Sequence, residues 1–375
     1  MKIARFVQKN IEERLFKGKI IILYGARQVG KTTLVKSLLE KYPGLYLNGE
    51  LLPTKELFNG PDPERIKQAL GQNKLVVIDE AQTIPQIGLI LKTMIDTFPE
   101  IQIIATGSSS FELADRVSEP LTGRVWHFFL YPISWAELTA AHGAFVSQAR
   151  LERVLRFGLY PEVVVADESE AIRQLNEITA SYLYKDVLLF EGIKKSGLIT
   201  KLLQLLAFQI GSEVSLSELA RALGISRLTV EKYLNILEKA FVISILHSFS
   251  RNPRSEILKG FKVYFYDLGV RNSLIQNFNP LSVRNDVGSL WENWLIIEKI
   301  KADAYAERQV NRYFWRTYDQ QEIDYIEDYG GQLHAYEFKW SEDKKKVPPA
   351  FSRAYPDARF EVVNQTTYES FLAPK

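Results

Sequence analysis

Residues 25–32 read Gly25-Ala26-Arg27-Gln28-Val29-Gly30-Lys31-Thr32 and are followed by Thr33. This is the GxxxxGK[ST] spacing of a phosphate-binding loop. The glycines let the backbone curl until successive N–H groups point at phosphate oxygens, and the helix that follows adds partial positive charge at its start. Lys31 would reach the outer phosphates, and the Thr32 hydroxyl would ligate Mg²⁺. Residues Gly25 to Thr33 would form the nucleotide cradle, with ATP as the expected ligand. Further along, Leu75-Val76-Val77-Ile78-Asp79-Glu80 is an apolar run ending in two carboxylates. Asp79 would hold the Mg²⁺ hydration shell, and Glu80 would polarise the attacking water.

A third apolar run ends Ala105-Thr106-Gly107-Ser108-Ser109-Ser110. One of these hydroxyls, Ser108 among them, would hydrogen-bond the γ-phosphate or the water. The spacing does not choose between them. Leu121-Thr122-Gly123-Arg124 then places an arginine before a fourth run. Arg124, or Arg116 upstream, would stabilise transition-state charge in its own subunit or in a neighbour, the latter implying a homo-oligomer.

A second constellation lies in the C-terminal third. Glu322-Ile323-Asp324-Tyr325-Ile326 and His334-Ala335-Tyr336-Glu337-Phe338-Lys339-Trp340 flank Gly330-Gly331, a two-residue hairpin signal. A turn centred there sets Asp324 opposite Glu337, close enough to share a divalent cation. Lys339 falls on the same face, and Ile323, Tyr325, Tyr336, Phe338 and Trp340 fall on the other, the expected buried side.

Between the two constellations, Ser215 to Gly224 reads as a short helix stopped by glycine, and Ser226 caps a second helix from Arg227 to Leu237. This is a helix-turn-helix pattern. As a DNA reader it would place Arg227, Thr229 and Lys232 in the major groove. The strand Ile243 to Phe249 and the loop 251–262 would form a wing whose Arg251, Arg254, Lys259 and Lys262 contact phosphate.

These side chains need a scaffold. Strands over Lys19–Tyr24, Lys74–Asp79, Ile101–Thr106 and Val125–Tyr131 alternate with helices. Continuous apolar strands of this kind indicate a parallel sheet covered on both faces. The pattern is mostly helical from about 133 to 207. After about 261 it reads strand, helix, three strands, helix, strand. The expected division is a P-loop core over 1–132, a helical lid over 133–207, a winged helix-turn-helix over 208–262 and an α/β domain over 263–375. The 375 residues carry 47 Lys and Arg against 45 Asp and Glu, which argues against a histone-like basic coat but not against a local basic patch. Cysteine is absent, which removes disulfides, thiolate metal sites and cysteine nucleophiles. With no apolar signal core at the start and no membrane-length apolar run, a cytoplasmic protein without membrane partners is expected.

GARQVGKTT, VVIDEAQ, ATGSSSFEL, LTGR and YPISWAEL, in this order, resemble bacterial and archaeal AAA-type P-loop ATPases. The resemblance continues through Gly158-Leu159-Tyr160-Pro161-Glu162 and Lys262-Val263-Tyr264-Phe265-Tyr266-Asp267-Leu268-Gly269 and covers essentially the whole chain. It implies a P-loop ATPase joined to a C-terminal domain of unknown function with a restriction-endonuclease-like fold. The Asp324…Glu337-x-Lys339 pattern likewise resembles the PD-(D/E)xK nuclease core, although Ile323 stands where that pattern has proline. By this resemblance Asp324 and Glu337 would hold Mg²⁺, Glu292 on the preceding helix would be a further ligand, with Glu298 the alternative, and Lys339 would orient or deprotonate the attacking water.

Overall fold

The computed structural model describes residues 3–107, 121–185, 196–250, 260–317, 319–341 and 345–373. Two compact units emerge, one of Met1–Ile133 with Lys239–Phe241 and one of Ser134–Glu238 with Val242–Lys375. The second unit runs through both of the later boundaries expected from sequence, near 207 and 262.

In the first unit, β1 (Ile20–Tyr24), β2 (Leu45–Asn48), β3 (Leu75–Asp79), β4 (Gln102–Gly107) and β5 (Val125–Phe129) form one sheet in the order β2-β3-β4-β1-β5. All pairings are parallel. Every residue of β1, β3 and β4 is buried, as their unbroken apolar sequences require of strands covered on both faces. Strand β2 escapes the sequence reading because it is four residues long and only half-buried. Helix α1 (Lys31–Lys41) follows β1 through the glycine loop. Since the strands run the same way, β1, β3 and β4 all end at one edge of the sheet.

The second unit holds a mixed sheet of seven strands in the order β12-β11-β10-β9-β7-β8-β6. These are β6 (Glu213–Val214), β7 (Ile243–Ser248), β8 (Phe261–Phe265), β9 (Asn311–Arg316), β10 (Glu322–Tyr329), β11 (Gln332–Phe338) and β12 (Arg359–Val363). Strand β7 pairs antiparallel with β8 and parallel with β9. The strand expected to belong to a wing therefore continues the C-terminal sheet. The helix pair is present as α2 (Leu216–Leu223) and α3 (Arg227–Lys239), the first ended by Gly224 in the left-handed region. Ser226 Oγ accepts the Thr229 N–H at 3.1 Å, a cap of the expected kind. Gly330 and Gly331 both have positive φ, and the hairpin they make pairs Tyr325 with Tyr336. The register expected from the two-residue turn is thus observed. The long helix α4 (Val287–Tyr305) carries Glu292 and Glu298.

Two buried polar clusters fix the second unit. Asp267 accepts the Leu159 N–H at 2.7 Å and the Val270 N–H at 3.2 Å, tying the Gly158–Pro161 segment to the start of the next helix. Gly158 is required there, because a methyl group would stand 2.0 Å from the Asp267 carboxylate. Asp286 receives Arg271 at 2.6 Å and Arg284 at 2.8 Å. Both arginine side chains are almost wholly buried.

Candidate nucleotide site and a carboxylate–lysine cluster

Close backbone packing and left-handed turns shape the phosphate loop. Gly25 lies against the segment leaving β5, where an added methyl would stand 2.2 Å from the Leu130 carbonyl oxygen. Gly30 has φ 99° and Gln28 φ 60°, the left-handed turns that curl the loop. Lys31 is buried and donates to the Gly25 and Ala26 carbonyls at 2.8 and 2.9 Å. Its ammonium is thereby folded back over the loop that bears it. Arg5, which the sequence reading did not single out, donates to the Val29 carbonyl at 2.7 Å and the Tyr131 carbonyl at 2.5 Å. It ties the far end of the loop to the exit of β5.

Thr32 and Asp79 come together as expected, with Thr32 Oγ1 2.8 Å from Asp79 Oδ2. Tyr46 of β2 donates to the same Oδ2 at 2.6 Å, and Thr106 of β4 donates to Oδ1 at 2.5 Å. Burial and the Asp79 charge both raise the Tyr46 pKa, which keeps its phenol protonated as a donor. Glu80 is held in the left-handed region, and Gln82 donates to its Oε2 at 2.6 Å. The Glu80 N–H bonds Thr106 Oγ1 at 3.1 Å. Thr106 is therefore the β4 hydroxyl that meets both acids. Ser108 and Arg116 lie outside the described residues, as do Arg251 and Arg254. Tyr46 had no signal in the sequence, because it depends on β2 pairing beside β3.

Arg124 is not at this site within the subunit. Its carbonyl accepts the Ile20 N–H at the start of β1, whereas the phosphate loop follows the end of β1. Its guanidinium meets Asp96 at 2.8 Å on the surface. The hydroxyls and acids needed for Mg²⁺-bound nucleotide do fit, since Thr32 and Asp79 converge beside the Lys31 loop.

The second constellation is also assembled, but with more cations than expected. Asp324 lies where β10 is irregular against β9, between Ile323 and Ile326, and such irregularities re-aim side chains. Its Oδ2 accepts the Phe338 N–H at 2.8 Å. Burial, then the nearby Glu292 and Glu337 charges, push the Asp324 carboxyl up to about 8. Glu337 is 1% exposed, so this face of the hairpin is covered too. Lys339 and Lys345 both reach its Oε1, at 2.8 and 2.5 Å, and its Oε2 is buried without a hydrogen-bond partner among the described residues. Glu292 points at the cluster and Glu298 does not, being paired with Lys301 at 2.8 Å.

Lys262 corrects the sequence reading. It is not a wing cation but 1% exposed, with Nζ 3.1 Å from Glu292 and 2.5 Å from Glu322. Burial disfavours its charge, but Glu292, Glu322 and Asp324 outweigh that and raise its pKa. Tyr264, on the same strand, donates to Glu292 Oε1 at 2.6 Å. Among the described residues no group of three or more His, Asp or Glu side chains is arranged to hold a metal ion. The expected metal set Asp324, Glu337 and Glu292 is thus gathered in one region but does not fit a metal as it stands, because ammonium groups contact two of its three members.

On α3, Arg227 and Lys232 are exposed, while the Thr229 hydroxyl lies 2.8 Å from that of Ser226.

Residues 17–139 match a family model described as AAA domain. Residues 148–281 and 287–370 match two domains of unknown function, DUF8612 and DUF4143. An uncharacterized protein of Mycobacterium tuberculosis is 25% identical over 356 residues, covering 93% of this chain and 75% of that protein. An uncharacterized protein of Methanocaldococcus jannaschii is 24% identical over 392 residues, covering 97% and 85%. Among solved structures, a Walker-type ATPase of Pyrococcus abyssi aligns with a TM-score of 0.52 at 17% identity, over 73% of this chain and 96% of that one. At that identity the likeness shows the fold. The N-terminal part of the chain therefore carries an AAA-domain match on a parallel sheet with a phosphate-binding loop. No described helix is long and apolar enough to cross a membrane.

Proposed function

We propose that the chain is a Mg²⁺-dependent ATPase that acts on or near DNA. The observation that carries the ATPase reading is the convergence of Thr32, Thr106 and Tyr46 on the Asp79 carboxylate, next to Glu80 and the Lys31 loop. Backbone amides of Gly25 to Thr33 would receive the phosphates of ATP. Lys31 would exchange the Gly25 and Ala26 carbonyls for the outer phosphates. Thr32 and Asp79 would hold Mg²⁺, which when bound neutralises charge on the phosphate oxygens. Glu80, oriented by Gln82, would take the proton of the attacking water. Lys31→Ala should abolish hydrolysis. Glu80→Gln should keep ATP binding and slow turnover by about 10²–10⁴-fold, the usual worth of a general base. Full activity in Lys31→Ala would refute the site.

The DNA reading rests on α3, whose exposed Arg227 and Lys232 stand at the start of the second helix of a helix-turn-helix pair. Affinity for duplex DNA should fall steeply with salt, by about 0.9 log units per log salt for each phosphate neutralised. Arg227→Glu with Lys232→Glu should weaken it.

A second reading of the C-terminal domain is favoured by a specific observation. Lysine contacts on Glu292 and Glu337 support an ATP-switched scaffold that keeps a nuclease-like fold without cleavage, over an active nuclease using Asp324, Glu337 and Lys339. Plasmid cleavage with Mg²⁺ or Mn²⁺ that is lost in Asp324→Ala would reverse that preference.

A further inference from the structure

We infer that Lys262 is a built-in cation: its ammonium group occupies the carboxylate cluster of the C-terminal domain in place of a divalent metal ion, and excludes one. This inference concerns the second unit and does not depend on ATP hydrolysis by the first.

The geometry is that of a cation site with a side chain inside it. Lys262 projects from β8, a strand held between β7 and β6, so its stem is fixed by the sheet. The Nζ lies between Glu292 of α4 and Glu322 of β10, and 5.4 Å from the centre of the Phe314 ring on β9. Two carboxylates and an aromatic face are a favourable setting for an ammonium removed from water. Four elements of the fold thus converge on one side-chain nitrogen.

The remaining acids are answered in the same way. Glu322 Oε2 also lies 3.8 Å from Arg316, and Glu337 meets Lys339 and Lys345. Asp324 is held by the Phe338 N–H. Glu292 Oε1 already accepts both Lys262 and Tyr264, so a metal ion at that oxygen would have to displace two donors. Placing such an ion beside Lys262 would set two cations together in a region shielded from water, where repulsion is strong.

Replacing the ammonium should therefore open the site. Lys262→Met keeps the aliphatic stem and removes the charge. The experiment is a Mn²⁺ titration of the nucleotide-free full-length chain, read by the loss of the free-ion electron paramagnetic resonance signal. Wild type and Asp324→Asn should give the same curve, since any ion at the phosphate-loop end is common to both. Lys262→Met should take up one further Mn²⁺ per chain, and Lys262→Met with Asp324→Asn should lose it again. A Mn²⁺ site in wild type that Asp324→Asn removes would overturn the inference. So would a folded Lys262→Met chain that gains no ion. The comparison of wild type with Asp324→Asn decides the exclusion claim whether or not Lys262→Met folds. ATP turnover by the same samples separates a failure here from a failure of the ATPase reading.

Discussion

Thr106 Oγ1 sits 2.5 Å from Asp79 Oδ1 and 3.1 Å from the Glu80 backbone nitrogen, so one hydroxyl on β4 touches both acids at the end of β3. It donates to the carboxylate and accepts from the amide, which uses its donor and an acceptor together. Any shift of β4 against β3 is felt at Asp79 and Glu80 at once.

Thr106→Val keeps the shape and removes both bonds. Leaving a buried carboxylate short of one donor costs about 1–3 kcal/mol. ATP turnover should fall by at least about tenfold, with ATP affinity changed much less, because the phosphate loop is untouched. Steady-state rates and equilibrium binding of a fluorescent ATP analogue measure the two separately. Turnover equal to wild type would remove Thr106 from the site.

Arg5 joins Val29 in the loop to Tyr131 beyond β5. Arg5→Ala should raise the KM for ATP several-fold with a smaller change in kcat, since the loop would lose its anchor but keep Lys31. Arg5→Lys reaches one carbonyl at a time and should recover part of the loss. An unchanged KM in Arg5→Ala would show that the loop holds its shape without this bond.

Burial raises Asp267 to about 6, opposed by the Leu159, Val270 and Gly269 amides and by the charge of Lys301. Glu298, paired with Lys301, lines the same small space. A carboxyl whose folded pKa lies above its unfolded value of about 3.9 keeps its proton longer when folded. Its contribution to stability therefore declines as pH rises from about 4 to about 6 and is constant above that. Asp267→Asn should remove this slope from a plot of Tm against pH. It should also lower Tm throughout, because the amide can accept only one of the two backbone bonds.

Asp286 works in the opposite window. Burial alone would raise its pKa, but hydrogen bonds and charges from Arg284 and Arg271 bring it down to about 2. The stability it contributes is present in full above the unfolded pKa and is lost as pH falls from about 4 to 2. Asp286→Asn leaves two buried guanidinium groups uncompensated, so unfolding at pH 7 should become easier by about 3–5 kcal/mol. The difference from wild type should narrow by about 2 kcal/mol as pH falls from about 5 to 2.

The strands of the parallel sheet were legible because their apolar runs are unbroken, and the phosphate loop because its spacing is its chemistry. The pairing of Tyr325 with Tyr336 was legible from the Gly330-Gly331 turn alone, since a two-residue hairpin fixes register. What could not be read depends on pairing between distant strands. Lys262 looked like a solvated cation among other basic residues, and only the β7–β8–β9 arrangement turns it inward. Tyr46 and Arg5 reach the nucleotide site through β2 and the N-terminal segment, neither of which carries a motif. Arg124 precedes β5, which in a parallel sheet sets it at the edge away from the phosphate loop, so only its action in a neighbouring subunit stays open.

The fit of Gly25 against Leu130 is a contact of backbone with backbone, made by the sheet and not by a ligand. Gly25 therefore has a packing role beside its expected role at the phosphates. In a copy of this gene released from ATP binding, Lys31 and Thr32 would be free to drift, while Gly25 would persist for the sake of the sheet. A surviving Gly25 beside a lost Lys31 would mark a nucleotide site that has been given up without the fold being given up with it.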